Sequence, residues 1–228
     1  MTYVFEPPPI PSLGISGETG RFPVHRIYCV GRNYAEHARE MGSDPTREPP
    51  FFFMKPADTV LPSGTDFPYP TKSNDVHHEI ELVAALKSGG SDISEADALG
   101  HVFGYAVGLD MTRRDLQGEA KKTGRPWDTG KGFDLSAPCS DLVRADKVGH
   151  PSSGRIWLNV NGEVRQQGDL GDLIWSLPEM IAYLSSLFTL RPGDLIMTGT
   201  PAGVAAVKRG DVLEGGVEGI GEIRTRVV

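Results

Sequence analysis

With 228 residues, 39% apolar and 23% charged, the chain is long enough for one sizeable core and fits neither a disordered segment nor a membrane-spanning class. Glycine (28) and proline (18) fill about a fifth of it without a repeating period, which excludes a collagen-like rod and argues against a helical bundle. The formal charge of −7 argues against nucleic acid or an anionic membrane as the main partner, and the separated Cys29 and Cys139 indicate neither a disulfide framework nor a thiolate zinc site. A reducing, cytoplasmic compartment is the expectation.

Residues 1–25, with Pro7, Pro8 and Pro9 in a row, predict an extended N-terminal arm, and residues 26–228 a single domain. Ile27 to Val30 predicts a short buried strand. Asn33 to Met41 predicts a helix capped by Asn33 and stopped by Gly42. Phe51 to Met54 reads as another buried strand, and the run from His78 to Leu86 as a strand leading to the Gly89-Gly90 turn. Ser94 with Asp97 predicts a capped helix over 94–99. Val102 to Leu109 is an apolar strand with glycines at 104 and 108, where other backbone approaches closely. Thr112 to Thr123 is polar and helical. The second half alternates strands (156–160, 195–198, 212–214, 222–227) with glycine turns, plus a helix over Leu177 to Leu187 opened by Pro178. This is a strand-rich α+β pattern without regular strand–helix alternation, a GxGxxG or a P-loop.

His77-His78-Glu79-Ile80-Glu81 carries the most chemistry. In a strand, positions 79 and 81 share one face, whereas a helix would splay them apart. Two carboxylates about 6 Å apart repel by roughly 2–3 kcal/mol at an effective dielectric near 20, so a proton, a lysine or a metal ion must relieve them. Asp110 ends the apolar strand and supplies a third carboxylate. An all-carboxylate triad suits Mg2+ or Mn2+, with Ca2+ allowed, over zinc. A solvated strand face accounts for the spacing of Glu79 and Glu81 equally well. Of the two histidines, His77 is the one whose strand parity lets it join the carboxylates.

His37 and Glu40, three apart on the first helix, share a face and form a candidate water-activating dyad; an exposed i,i+3 pair explains them too. Lys55 follows an apolar tetrapeptide, and Lys131 lies between Gly130 and Gly132 where backbone can approach a ligand. Arg114 and Gln117 share a helical face just after Asp110. The Thr198-Gly199-Thr200-Pro201 turn can offer N–H groups and a hydroxyl to an anion.

Together these segments resemble the fumarylacetoacetate hydrolase superfamily: Val30-Gly-Arg-Asn-Tyr34, Phe53-Met-Lys-Pro56, His78-Glu-Ile-Glu81, Gly108 to Gln117, Gly130-Lys-Gly-Phe133, Leu158 to Gly162 and Ile196 to Gly203 run in that family's order. The resemblance implies a mixed β-roll assembled as a homodimer. It implies metal ligands at Glu79, Glu81 and Asp110, a water-activating dyad of His37 and Glu40, and a catalytic Lys131. It places substrate contacts at Arg32, Lys55, Arg114, Gln117 and Thr200. The implied substrate is a small anionic keto acid, and the sequence looks most like members that hydrolyse fumarylpyruvate to fumarate and pyruvate in gentisate breakdown. Oxaloacetate decarboxylation and dienoate isomerisation use the same site and stay open, as does a non-catalytic metal-stabilised binding protein. Gly31 and Gly42 bracket a polar stretch, 33–50, that reads as a lid.

Overall fold

The computed structural model describes residues 2–36 and 48–228. Most of the expected helix over Asn33 to Met41, the dyad His37 and Glu40, and most of the expected lid lie outside the described residues.

Ahead of the domain, β1 (Ser12–Gly14) and β2 (Arg21–Pro23) form a small antiparallel pair. Within the stretch read from its prolines as an arm, Leu13 and Phe22 are thus buried. The main sheet is built from β3 (Arg26–Gly31), β4 (Phe51–Lys55), β5 (Val60–Pro62), β7 (Ile80–Leu86), β8 (Val102–Leu109), β10 (Ala137–Cys139) and β14 (Asp194–Met197). Its spatial order is β4-β3-β14-β7-β8-β10-β5, with β11 (Val143–Arg144) added beside β8. The β3–β14 and β5–β10 pairs are parallel and the others antiparallel, so the sheet is mixed, as expected. A second, antiparallel sheet runs β13-β12-β15-β16, where β12 is Arg155–Val160, β13 Glu163–Asp169, β15 Val212–Val217 and β16 Gly221–Arg226. A two-strand ribbon joins β6 (Val76–His77) to β9 (Thr112–Arg113).

Among the described residues five short α-helices are complete: α1 (Glu95–Ala98), α2 (Arg114–Thr123), α3 (Asp128–Lys131), α4 (Ala145–Val148) and α5 (Leu177–Leu187). Ser94 caps α1 by accepting from Asp97 N, and a Ser176/Glu179 capping box with Pro178 opens α5, as the residue types dictate. No helix among the described residues is long and apolar enough to cross a membrane.

Period-two alternation sorts the main sheet into two cores. Ile80, Leu82, Ala84 and Leu86 face a cluster shared with Ile156, Leu158 and Leu213 of the second sheet. Val83 and Ala85 face the other way, onto Ile27, Cys29, Ala106, Leu195 and Met197. Glu81 has the parity of Val83, and Asp110 that of Gly108 and Ala106. Both carboxylates therefore extend the second core to its open end. Gly108 is directly opposite Glu81 in the register, and a Cβ there would sit 2.6 Å from Val83 Cγ2.

Gly104 shows the same close approach against backbone: an added Cβ would lie 2.2 Å from Val143 O. The β8–β11 pairing cannot give way without losing its hydrogen bonds, so Gly104→Ala should cost about 2 kcal/mol or more, read as a lower urea midpoint.

Candidate active site

Glu79, Glu81 and Asp110 each offer a carboxylate oxygen, all within 4.8 Å of one another, and all three residues are buried. Glu79 sits in the link before β7, Glu81 is the second residue of that strand, and Asp110 follows the end of β8. The antiparallel β7–β8 pairing brings these two strand ends to the same edge. Burial pushes the Glu81 carboxyl well above the usual range, and the charges of Asp110 and Glu79 push it further; the Gly199 N–H, donating to Glu81 Oε2 at 2.7 Å, pulls the other way.

Three cations answer the acids. Lys131, from the end of α3, donates to Glu79 Oε2 at 2.8 Å and to Asp110 Oδ2 at 2.6 Å. Burial lowers its pKa, but Asp110 and Glu79 outweigh burial and hold the ammonium above its ordinary value. Arg114 donates to Glu79 Oε1 through Nη2 and to Gln117 Oε1 through Nη1 at 2.6 Å. Lys55 comes from β4 across the curl of the sheet: its Nζ lies 2.8 Å from Asp110 Oδ1. It donates to Met111 O at 3.1 Å, Ser136 Oγ at 3.0 Å and Lys131 O. With its donors on these protein oxygens, Lys55 stands behind the carboxylates.

The Thr198–Pro201 loop closes the opposite wall. Gln166 of β13 ties it down: its Nε2 donates to Thr200 Oγ1 at 2.7 Å and Pro201 O at 2.8 Å, while its Oε1 accepts from Ile80 N at 3.1 Å and pairs with His78 Nδ1 at 2.8 Å. Since Oε1 is an acceptor, His78 Nδ1 carries the proton. Burial depresses the His78 imidazole to about 4, although the Gln166 hydrogen bond favours its charged form. Thr200, having accepted from Gln166, retains its own O–H to donate into the cleft.

His77 does not join the carboxylates. Its Nε2 lies 2.8 Å from Asp75 Oδ1, because the strand breaks between His77 and Ile80 and parity does not carry across. Asn33, expected as a helix cap, instead donates to Thr198 O at 2.8 Å and Trp175 O at 3.0 Å and accepts from Trp175 N at 2.8 Å.

Arg32, Gln117, Lys131 and Thr200 line the cleft with the three carboxylates, as do Phe51, Phe53, Lys121 and Trp127. The last four were not named as site residues from the sequence. The cleft between these groups encloses about 380 Å³, counting its open mouth. A buried, oxygen-only donor set of three carboxylates, whose burial and mutual repulsion a positive ion would relieve, fits a hard divalent cation.

Comparison with known proteins follows this geometry. Residues 26–228 match the family described as fumarylacetoacetate (FAA) hydrolase C-terminal. The structure of fumarylpyruvate hydrolase from Pseudomonas aeruginosa in complex with Mn2+ and pyruvate superposes with a TM-score of 0.98 at 55% identity, covering 100% of this chain and 99% of that one. The mitochondrial oxaloacetate tautomerase FAHD1 of Rattus norvegicus is 46% identical over 201 residues, 88% of this chain and 90% of the relative. The mitochondrial oxaloacetate decarboxylase of Dictyostelium discoideum is 43% identical over 204 residues, 89% and 91%.

Proposed function

The chain belongs to the fumarylacetoacetate hydrolase C-terminal family, and from that premise we propose that it hydrolyses the carbon–carbon bond of an acylpyruvate, with fumarylpyruvate as the substrate. The observation that carries this reading is the buried Glu79–Glu81–Asp110 cluster opening onto a cleft walled by cations. Glu79, Glu81 and Asp110 would hold Mg2+ or Mn2+, which when bound supplies a Lewis acid and a template for the 2-keto acid end. A homodimer, tested by light scattering, belongs to the same reading.

Arg114, Gln117 and Thr200 present donors to the substrate's carboxylate and keto oxygens, and Arg32 reinforces the positive field that draws an anion to a net-acidic protein. His37 with Glu40 takes a proton from the attacking water. Water adds to the C4 carbonyl and the C3–C4 bond breaks. Its electron pair passes to the pyruvate fragment as an enolate, while C4 leaves as the carboxylate of fumarate. Lys131 stabilises the developing enolate oxygen until C3 is protonated.

Loss of fumarylpyruvate absorbance in the presence of Mn2+ or Mg2+ tests this reading; absence of turnover with both ions sinks it. The curated relatives favour a second reading, enolisation or decarboxylation of oxaloacetate, which needs enolate stabilisation without a hydrolytic water. His37→Ala should therefore reduce acylpyruvate hydrolysis by about 100-fold or more and leave oxaloacetate decarboxylation within a few-fold, in parallel assays of one preparation.

A further inference from the structure

Arg114, Gln117 and Lys121 occupy positions i, i+3 and i+7 of α2 and so form one stripe. The first two end at Glu79 and at each other. Lys121 lies two turns further out, about 10 Å along the helix axis from Arg114, and lines the same cleft. Its Nζ sits 5.0 Å from the centre of the Trp127 ring, and Arg32, stacked over Phe51 at 5.6 Å, stands in the same lining.

No acidic side chain forms an ion pair with Lys121 among the described residues. Burial, then the neighbouring Arg114 and Arg32, push its ammonium down to about 8. Folding thus sets Lys121, with no ion-pair partner among the described residues, beside two other cations and opposed only by the more distant charge of Glu79, at a cost that a bound anion would relieve.

We propose that Lys121, floored by Trp127 and assisted by Arg32, binds the distal carboxylate of a dicarboxylic substrate, so that the outer end of the cleft selects dianionic over monoanionic keto acids. This rests on the reading that the carboxylate cluster takes the 2-keto acid end. Fumarylpyruvate carries a carboxylate at its far end, whereas acetylpyruvate ends in a methyl group, and the two therefore isolate the contribution of Lys121.

Lys121→Met keeps the stem over Trp127 and removes the charge. It should lower kcat/KM for fumarylpyruvate about 10- to 100-fold, mainly through KM, the loss expected for one charge-assisted hydrogen bond. Acetylpyruvate should change less than two-fold, Lys121→Arg should recover most of the loss, and the unfolding temperature of Lys121→Met should not fall. Equal losses on both substrates, or a loss accompanied by a lower unfolding temperature, overturn the proposal. Wild-type protein that turns over neither substrate would sink the hydrolase reading instead. The inference is then decided by calorimetric titration of Mn2+-loaded protein with 2-oxoadipate and 2-oxohexanoate. A preference for the diacid that Lys121→Met abolishes supports it, and a preference the variant retains overturns it.

Discussion

Lys131→Met should leave a protein that depends on a divalent cation for much of its stability. In the wild type the Lys131 ammonium bridges Glu79 and Asp110, and these two charges are otherwise supported by Arg114 and Lys55. Removing one partner of a buried ion pair costs about 3–5 kcal/mol because the other charge stays behind. For a chain of this length that corresponds to a melting point lower by on the order of 10 °C in EDTA. Mn2+ should then raise the melting point of the variant by more than it raises that of the wild type, since the ion no longer competes with an ammonium for the same oxygens. Equal Mn2+ shifts in the two proteins would show that Lys131 and the ion do not contend for one site. Turnover should fall in the variant even when saturated with metal, since nothing replaces the cation beside the enolate oxygen.

Glu81→Gln should do the reverse. Burial, Asp110 and Glu79 hold Glu81 well above the carboxylate range, so in the metal-free protein its surroundings favour a neutral group there. The linkage sign follows: a raised folded pKa gives stability that is complete below the unfolded value and is lost as pH rises through the folded one. A neutral amide removes that loss and can still accept from Gly199 N–H. Metal-free Glu81→Gln should therefore be at least as stable as wild type near neutral pH. It should lose most of the Mn2+-induced stabilisation and on the order of 1,000-fold in turnover, the equivalent of several kcal/mol of Lewis-acid assistance. Thermal scans with and without Mn2+, run beside the absorbance assay, separate the two effects. An unchanged Mn2+ shift would remove Glu81 from the ligand set.

What could be read from the sequence was local. The alternation through Ile80, Glu81, Leu82 and Val83 places one carboxylate on a definite face, and the apolar run ending at Asp110 marks where a buried strand meets the site. The helix over Leu177–Leu187 has the expected bounds because Pro178 and the Ser176–Glu179 pair act within four residues. β13 escaped notice because Glu163–Asp169 is mostly exposed and polar, which hides its alternation. The roles of Gln166, Asn33 and Lys55 depend on partners 34 to 165 positions away, brought near only by the curl of the main sheet and the stacking of the second sheet on it. Lys121 was legible in principle: its seven-residue offset from Arg114 and four-residue offset from Gln117 put it on their stripe. Its Trp127 floor, by contrast, comes from the turn before α3, whose position no local pattern states.

The occupation of Glu79 and Asp110 by the Lys131 ammonium also has a kinetic side. An ion arriving at this cleft meets no vacant cage; it must wait for a lysine side chain to let go, and then keep it from returning. Loading in stopped flow should accordingly rise with Mn2+ concentration only until it reaches the rate at which the ammonium departs, and level off there. Lys131→Met, having nothing to release, should show no such plateau. The protein would then hold its metal behind a swap of cations, slow to take it up and equally slow to exchange it for another.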